Sequence, residues 1–207
     1  MVNKNAPKRV FSMNPKMKLI VILRDPVIRA VSYHVELKDT NWNNYYNNML
    51  SLNLTDAQQF EKNIFDYDNN FIYNINESSA RNVGKISNRW DPINQGHYYN
   101  FIQNWLIYFP REQFLFLNGE QLQKEPSVVI DKLQSFLDLR PIIKKKHFIY
   151  NASKGFYCII NPLYIDQIQC LPDNKGRKHP TINMYILRVL RDYYRISNQK
   201  FFNFKFQ

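Results

Sequence analysis

The chain has 207 residues, of which 44% are hydrophobic and 15% aromatic. That length fits one domain, and that composition can form a hydrophobic core, which excludes a wholly disordered chain. The charge is unusual, because 28 lysines and arginines against 17 aspartates and glutamates give a formal net charge of +11. The sequence shows no apolar run of about 18 residues that would cross a membrane, and no signal peptide or other targeting segment.

The positive charge is concentrated at the two ends of the chain. Residues 1–39 carry a net charge of +5, residues 40–143 carry −3, and residues 144–207 carry +9. If the fold brings these ends together, they form one positive surface for an anion. Phosphate, sulfate, nucleic acid and acidic polysaccharide are the candidate ligands.

The first predicted elements are a strand, a tight turn and a helix. Residues 17–23 (MKLIVIL) are apolar except for Lys18, which is typical of a strand buried on both faces in a parallel sheet. Asp25 and Pro26 then have the pattern of a helix cap followed by proline at the first helical position. We therefore predict a helix over residues 27–37.

Residues 39–92 are rich in asparagine and show one helical pattern, at residues 56–65. We predict that they form a surface excursion or lid within a single domain spanning residues 1–207. Further along the chain, periodicity and proline positions predict a helix, a strand and two helices, at residues 93–108, 113–117, 126–137 and about 180–196. This alternation predicts the α/β class with parallel strands.

Arg24 and Ser32 are the first candidate site residues. Arg24 follows the first predicted strand, at the sheet edge where open α/β folds bind ligands, and Ser32 lies about two helical turns later. An arginine fork and a hydroxyl can bind the same phosphate oxygens. The alternative is an arginine in a structural salt bridge and an incidental helical serine.

The second candidate is the segment Lys175, Gly176, Arg177, Lys178 and His179, followed by Pro180. Glycine lets backbone N–H groups approach an anion, and a helix beginning at Pro180 would add its N-terminus. The segment therefore has the composition of a phosphate-closing loop. A solvated charged loop is the alternative.

Several other residues admit two interpretations. Tyr157 could stack on a planar ligand or pack in a core, and Trp90 could be a core anchor or a platform for a sugar ring. Cys158 and Cys170 could form a disulfide or remain free thiols. Glycosylation sequons occur at Asn53, Asn76 and Asn151. The histidines have no ligand-like spacing, so we expect no metal.

Glycine is absent from the first 83 residues, since the five glycines begin at Gly84. A glycine-rich phosphate loop after the first strand is therefore excluded. No helix-turn-helix, zinc-finger or RNA-binding pattern is present, so we do not expect nucleic acid as the partner.

Four ordered blocks resemble one family. The segments LIVILRDPVIRAVSYHVE, YYNFIQNWLIYFPREQFLFLNGEQL, HFIYNASKGFYCI and CLPDNKGRKHP resemble the heparan sulfate glucosamine 3-O-sulfotransferases. The resemblance implies a three-layer, P-loop-NTPase-like fold with a central parallel sheet between helices. It also implies transfer of a sulfuryl group from 3′-phosphoadenosine 5′-phosphosulfate (PAPS) to a glucosamine hydroxyl of heparan sulfate, in the Golgi lumen.

The resemblance also implies roles for individual residues. Arg24 and Ser32 match the pair that binds the 3′-phosphate of PAPS, and Cys158 and Cys170 match the family's disulfide. The positions that match the segment closing over the nucleotide are Tyr157, Lys175, Gly176, Arg177, Lys178 and His179. Trp90, Asp91 and Glu36 match positions on the polysaccharide side, although a carboxylate at residue 36 would repel a sulfated chain.

The family's first strand, its loop for the 5′-phosphosulfate, its glutamate base and its membrane anchor have no counterpart in these residues. We therefore expect the domain to be incomplete at its N-terminus, to contain no catalytic base, and to be inactive alone. The alternative is a non-catalytic homologue that binds an anionic glycan or a nucleotide.

Overall fold

The computed structural model describes residues 3–39, 55–65, 86, 90–163, 167–172, 175–176 and 178–205. Eight α-helices lie in these ranges: α1 Ala6–Met13, α2 Pro26–Asp39, α3 Asp56–Ile64, α4 Asp91–Asn94, α5 Tyr98–Leu106, α6 Gly119–Lys124, α7 Pro126–Phe136 and α8 Met184–Lys205. The strands are β1 Leu19–Leu23, β2 Phe114–Asn118, β3 Phe148–Asn151, β4 Phe156–Ile160 and β5 Ile168–Gln169. Short 3₁₀ turns at Arg111–Gln113 and Lys145–His147 precede β2 and β3.

The chain divides into two compact units. The sheet unit comprises Asn3–Arg24 and Asn104–Arg177, and the helical unit comprises Met1–Val2, Asp25–Gln103 and Lys178–Gln207.

The sheet unit contains the predicted parallel pair of strands. β1 and β2 pair in parallel, with Leu19 opposite Phe114 and Leu23 opposite Asn118. Both strands therefore have their carboxyl ends at the same edge of the sheet. Val21, Phe109 and Phe114 form a buried cluster in this unit. The predicted strand is therefore present, but the prediction that both of its faces are buried is wrong, because Ile20 and Ile22 are 43% and 54% exposed.

A second, antiparallel sheet in this unit was not predicted. β3 pairs with β4, and β4 pairs with β5. A four-residue turn containing Gly155, at φ +72°, joins β3 to β4. A disulfide between Cys158 and Cys170 connects β4 to the residue after β5, which confirms the pairing that the family resemblance implied.

The helical unit is built around α8. Ile186, Leu190 and Tyr194 of α8 are fully buried and pack with Val27 and Ala30 of α2. α3 contributes Phe60 and Ile64, which are also fully buried. One face of α3 therefore packs in the core, while Asp56 at its start is exposed.

Two helix predictions needed correction. The helix expected over residues 93–108 is divided into α4 and α5, because the turn between them places Gly96 against the ring of Tyr194. A Cβ on Gly96 would lie 2.6 Å from that ring. The last helix begins at Met184 and not near Pro180, because the Asn183 side chain accepts a hydrogen bond from the Tyr185 N–H at 2.9 Å.

Candidate functional site

The turn after β1 forms as predicted. The Asp25 carboxylate accepts hydrogen bonds from the N–H groups of Val27 and Ile28, at 2.8 and 3.1 Å. These bonds satisfy two of the unpaired donors at the start of α2. Pro26 occupies the first helical position, where its missing N–H costs nothing. The Asp25–Pro26 pair therefore ends β1 and fixes the start of α2. Arg24 is left at the carboxyl end of the strand.

Arg24 lies within the sheet unit beside the carboxylate of Glu120, which was not among the predicted site residues. Its Nε is 3.4 Å from Oε1 of Glu120, and about one third of each side chain is exposed. Glu120 follows β2, as Arg24 follows β1, so the parallel pairing brings the two residues to one sheet edge. The signal that could have found Glu120 is its position just after the second buried strand.

Gly119 makes room for the Arg24 side chain. A Cβ on Gly119 would lie 2.7 Å from Cγ of Arg24 and 3.1 Å from the Leu23 carbonyl oxygen. Real Cβ atoms do not approach other atoms so closely. The missing side chain of Gly119 therefore allows the stem of Arg24 to lie across the first turn of α6.

Ser32 and His179 are brought together within the helical unit. The hydroxyl oxygen of Ser32 lies 2.8 Å from Nε2 of His179. The direction of this hydrogen bond depends on the histidine tautomer, since Nε2 either donates or accepts. A helix residue and a residue of the predicted phosphate-closing segment are therefore in direct contact.

The residues after His179 hold it in place. Ile182 is buried in the core of the helical unit, and the Asn183 N–H donates to Oε1 of Glu61 at 3.4 Å. Burial raises the pKa of the Glu61 carboxyl above its ordinary value, and the hydrogen bond from Asn183 opposes part of that shift. Glu61 therefore links α3 to the start of α8 just beyond His179.

At the other end of the predicted phosphate-closing segment, Gly176 contacts β4 within the sheet unit. Gly176 has φ +72° and packs against the Phe156 ring, where a Cβ would lie 3.2 Å from a ring carbon. The Lys154 ammonium donates to the Leu171 carbonyl oxygen at 3.4 Å, and the disulfide holds Cys170. Lys175 and Gly176 are exposed, so this attachment leaves their surface accessible.

Tyr157 lies on β4 directly opposite Tyr150 of β3. The two rings meet edge to face, with centroids 5.3 Å apart, and Tyr157 is half-buried. Lys178 is exposed at the start of the segment that leads to α8. Arg177 lies outside the described residues.

The three residues predicted on the polysaccharide side lie in the helical unit in different settings. The Trp90 ring packs against Phe60 and His34, with centroids 5.5 and 6.0 Å apart, which favours the core interpretation for most of that ring. Asp91 is exposed at the start of α4. Glu36 is half-buried on α2, one helical turn after Ser32.

Asn151 is the one predicted glycosylation site among the described residues. It ends β3, and its side-chain oxygen accepts hydrogen bonds from the Ser153 hydroxyl at 2.7 Å and the Lys154 N–H at 3.1 Å. Asn53 and Asn76 lie outside the described residues.

The described ranges contain no cluster of three or more histidine, cysteine or acidic side chains that could ligate a metal ion. Among the helices described, none combines the length and the apolar composition that crossing a bilayer requires.

Comparison with known proteins gives a family and a fold. Residues 2–181 match the family described as the sulfotransferase domain. The chain is 37% identical over 201 residues to mouse heparan sulfate glucosamine 3-O-sulfotransferase 3B1, covering 97% of this chain and 45% of that protein. It is 31% identical over 202 residues to the human 3-O-sulfotransferase 6, covering 97% of this chain and 51% of that protein. The chain thus spans about half the length of the curated relatives it matches.

A solved structure has the same fold. The crystal structure of a sulfotransferase from Alicyclobacillus acidocaldarius aligns with a TM-score of 0.58 at 15% sequence identity, over 99% of this chain and 60% of that one. This alignment, together with the parallel pairing of β1 and β2, confirms the α/β fold class.

Proposed function

We propose that this chain, which belongs to the sulfotransferase domain family, is the nucleotide-gripping part of an enzyme that sulfates heparan sulfate. The donor is PAPS, and the acceptor is a glucosamine hydroxyl. The similarity to heparan sulfate glucosamine 3-O-sulfotransferases over 97% of the chain supports this reaction. Residues 1–207 would then belong to one sulfotransferase domain.

The contact between Ser32 and His179 carries the proposal. When Nε2–H of His179 donates to the Ser32 oxygen 2.8 Å away, the Ser32 hydroxyl can in turn donate a hydrogen bond to an oxyanion placed beside the pair. A protonated His179 would add positive charge to that site. The donor set therefore fits a phosphate group, and we assign the 3′-phosphate of the nucleotide to it.

The family resemblance assigns further residues to nucleotide binding. Arg24 would contribute its guanidinium, which Glu120 orients through Nε. Lys175, Gly176, Arg177 and Lys178 would close over the phosphates, and Tyr157 would contact the nucleoside. When bound, PAPS supplies the sulfuryl group that is transferred. The contribution of this chain is to bind and orient the donor and to place positive charge beside it.

Acceptor contacts would lie in the helical unit. Asp91 is exposed and available to a sugar hydroxyl, whereas Trp90 would present only the part of its ring that the core leaves accessible. Glu36 would limit how closely a sulfate group approaches α2, because like charges repel. Carboxylates that contact a polyanionic acceptor can select its sulfation pattern, because they repel sulfate groups placed beside them.

The disulfide between Cys158 and Cys170 supports an oxidising compartment such as the Golgi lumen. In that compartment the Asn151 sequon, together with those at Asn53 and Asn76, would be open to glycosylation.

Calorimetric titration tests the nucleotide site. We expect the 207-residue chain to bind adenosine 3′,5′-bisphosphate more tightly than adenosine 5′-monophosphate, because only the former carries a 3′-phosphate. Ser32→Ala should remove that preference, whereas Ser135→Ala, at an exposed serine of α7, should retain it. Equal affinity of the unchanged chain for the two nucleotides would refute the assignment.

Transfer is a separate question. The general base and the 5′-phosphosulfate loop of the family have no match in these residues, so we propose that the 207-residue chain binds the nucleotide without turnover. Incubation with radiolabelled PAPS and heparan sulfate should give no labelled polysaccharide. Labelled product would show that this chain contains a base that we have not identified.

A further inference from the structure

We propose that the outer face of α8 binds a sulfated polysaccharide chain through the arginine stripe formed by Arg188, Arg191 and Arg195. The proposal rests on the proposed function, which supplies a polyanionic acceptor. It adds a contact surface for that acceptor on an element to which we have assigned no part of the nucleotide site.

The arginine stripe lies on the side of α8 that faces away from the core. Leu190 and Tyr194 are fully buried, and successive residues of a helix are rotated by about 100°. The three arginines fall within an arc of roughly 60° and are turned about 100° or more away from Leu190. All three are exposed. Their Cα atoms extend about 10 Å along the helix axis, which is long enough to follow a linear polymer.

The charge of the stripe is largely uncompensated. Among the described residues, no carboxylate lies within ion-pair distance of Arg188 or Arg191. Asp192 reaches only Arg195, at 3.9 Å, and the two side chains are 80% and 61% exposed. An ion pair so exposed has little effect on stability and is screened by salt. The stripe therefore presents positive charge to solvent.

This arrangement does not favour the helix itself. Arg188 and Arg191 are three residues apart, and Arg191 and Arg195 are four apart, so adjacent members of the stripe repel each other on the helix surface. Alanine has a higher helix propensity than arginine at exposed positions. Replacing the stripe with alanine should therefore leave the stability of α8 unchanged or increased, whereas a structural role would make the replacement destabilising.

The chemistry of the guanidinium group indicates the partner. Its planar fork matches pairs of oxygens on a tetrahedral oxyanion or a carboxylate. A row of such groups fits a linear polymer with repeated sulfates and carboxylates better than it fits a single ion. The chain's net charge of +11 would further attract such a polymer over a distance limited by salt.

The test compares two triple variants with equal loss of charge. One is Arg188→Ala, Arg191→Ala, Arg195→Ala, and the control is Lys124→Ala, Lys132→Ala, Arg140→Ala, at three exposed cations of the sheet unit. Binding of a size-defined heparin oligosaccharide is measured at several salt concentrations. We expect the stripe variant to bind roughly tenfold more weakly, with a smaller salt dependence, and the control to change little. The unfolding temperature of neither variant should fall below that of the unchanged chain.

Three results would overturn the proposal. Equal weakening of heparin binding by both variants would indicate an effect of net charge alone. Heparin binding that the stripe variant does not weaken would show that the stripe is not the contact. A lowered unfolding temperature of the stripe variant would indicate a structural role. A single-stranded RNA of matched charge serves as a competitor. If it binds as tightly as heparin and is equally sensitive to the stripe, the assignment to a sulfated glycan is wrong.

Nucleotide binding separates this inference from the proposed function. The stripe variant should bind adenosine 3′,5′-bisphosphate as the unchanged chain does. If the unchanged chain fails to bind the nucleotide, the proposed function is refuted, while the heparin comparison still decides whether the stripe binds a sulfated glycan.

Discussion

The hydroxyl of Ser32 and the imidazole of His179 lie 2.8 Å apart, although 147 residues separate them in the chain. Ser32 is fixed by α2, and His179 is held by the buried Ile182 and the capped start of α8. Contacts within the chain therefore hold both residues. At the phosphate site that we propose, side chains held in this way would need less ordering on binding, which favours affinity.

The first prediction concerns Gly119 and Arg24. In Gly119→Ala the added Cβ would meet Cγ of Arg24 and the Leu23 carbonyl oxygen, so the arginine must move away from Glu120. We expect the affinity for adenosine 3′,5′-bisphosphate to fall roughly tenfold or more, since a hydrogen bond to a charged group contributes about 1.5–3 kcal/mol. Calorimetry measures this loss. Gln123→Ala, on the same helix, is the control, and an unchanged affinity of Gly119→Ala would contradict the role of Arg24.

The second prediction concerns the disulfide. Cys158 and Cys170 attach the segment leading to Lys175 and Gly176 to β4. In Cys158→Ser, Cys170→Ser we expect nucleotide affinity to fall and the free energy of unfolding to decrease by about 2–3 kcal/mol, because a short loop is no longer closed in the unfolded chain. Denaturant titration and calorimetry measure the two effects. If stability falls while nucleotide affinity stays constant, the disulfide does not position the loop.

The third prediction concerns Glu61 and pH. Burial raises the pKa of its carboxyl above the ordinary value of 4.5, so the folded chain binds that proton more tightly than the unfolded chain does. The contribution of Glu61 to stability is therefore fully present below pH 4.5 and is lost as the pH rises through the raised pKa. Glu61→Gln should remove this part of the pH dependence, while its side-chain oxygen still accepts from Asn183.

Denaturant unfolding between pH 4 and pH 7 measures the effect of Glu61→Gln against its control, Glu112→Gln at an exposed glutamate. The difference in stability between Glu61→Gln and the unchanged chain should shift in favour of the variant as the pH rises. If stability depends on pH in the same way in Glu61→Gln and in the unchanged chain, Glu61 has the same pKa in the folded and unfolded chains.

The fourth prediction concerns the exposed apolar residues of β1. Ile20 and Ile22 are 43% and 54% exposed, and among the described strands β1 pairs only with β2. Apolar residues on an edge strand promote association between molecules. We expect the double variant Ile20→Thr, Ile22→Thr to remain monomeric up to a higher protein concentration than the unchanged chain. Light scattering would measure this limit. Unchanged association would show that this strand is not the contact.

Much of the local structure around the candidate site could be predicted from local patterns. The apolar run before Arg24 and the Asp-Pro cap after it define a strand end and a helix start, and both depend on residues adjacent in sequence. The exposed loop glycine at residue 176 has the positive φ that glycine favours. These features are encoded within one or two turns of the chain, where propensity and capping dominate.

Other features depend on contacts between distant residues. Glu120 was not identified, because a carboxylate after a strand has no distinguishing pattern until β1 and β2 pair. The division between α4 and α5 requires Tyr194, about 100 residues away, to pack on Gly96. The start of α8 was predicted too early, because Pro180 and Asn183 are both acceptable at a helix start. The cap is at Asn183, whose side chain accepts from the Tyr185 N–H and whose N–H donates to the distant Glu61.

A double-mutant cycle at Ser32 and His179 is the decisive test of the proposed phosphate site. Calorimetry would measure the affinity for adenosine 3′,5′-bisphosphate of the unchanged chain, Ser32→Ala, His179→Ala and the double variant. We predict that each single change weakens binding and that the double change weakens it by less than the sum, with a coupling of about 0.5–3 kcal/mol, because the two hydrogen-bonded side chains would act together on the proposed phosphate. If neither single change alters the affinity for adenosine 3′,5′-bisphosphate, the proposed phosphate site is wrong.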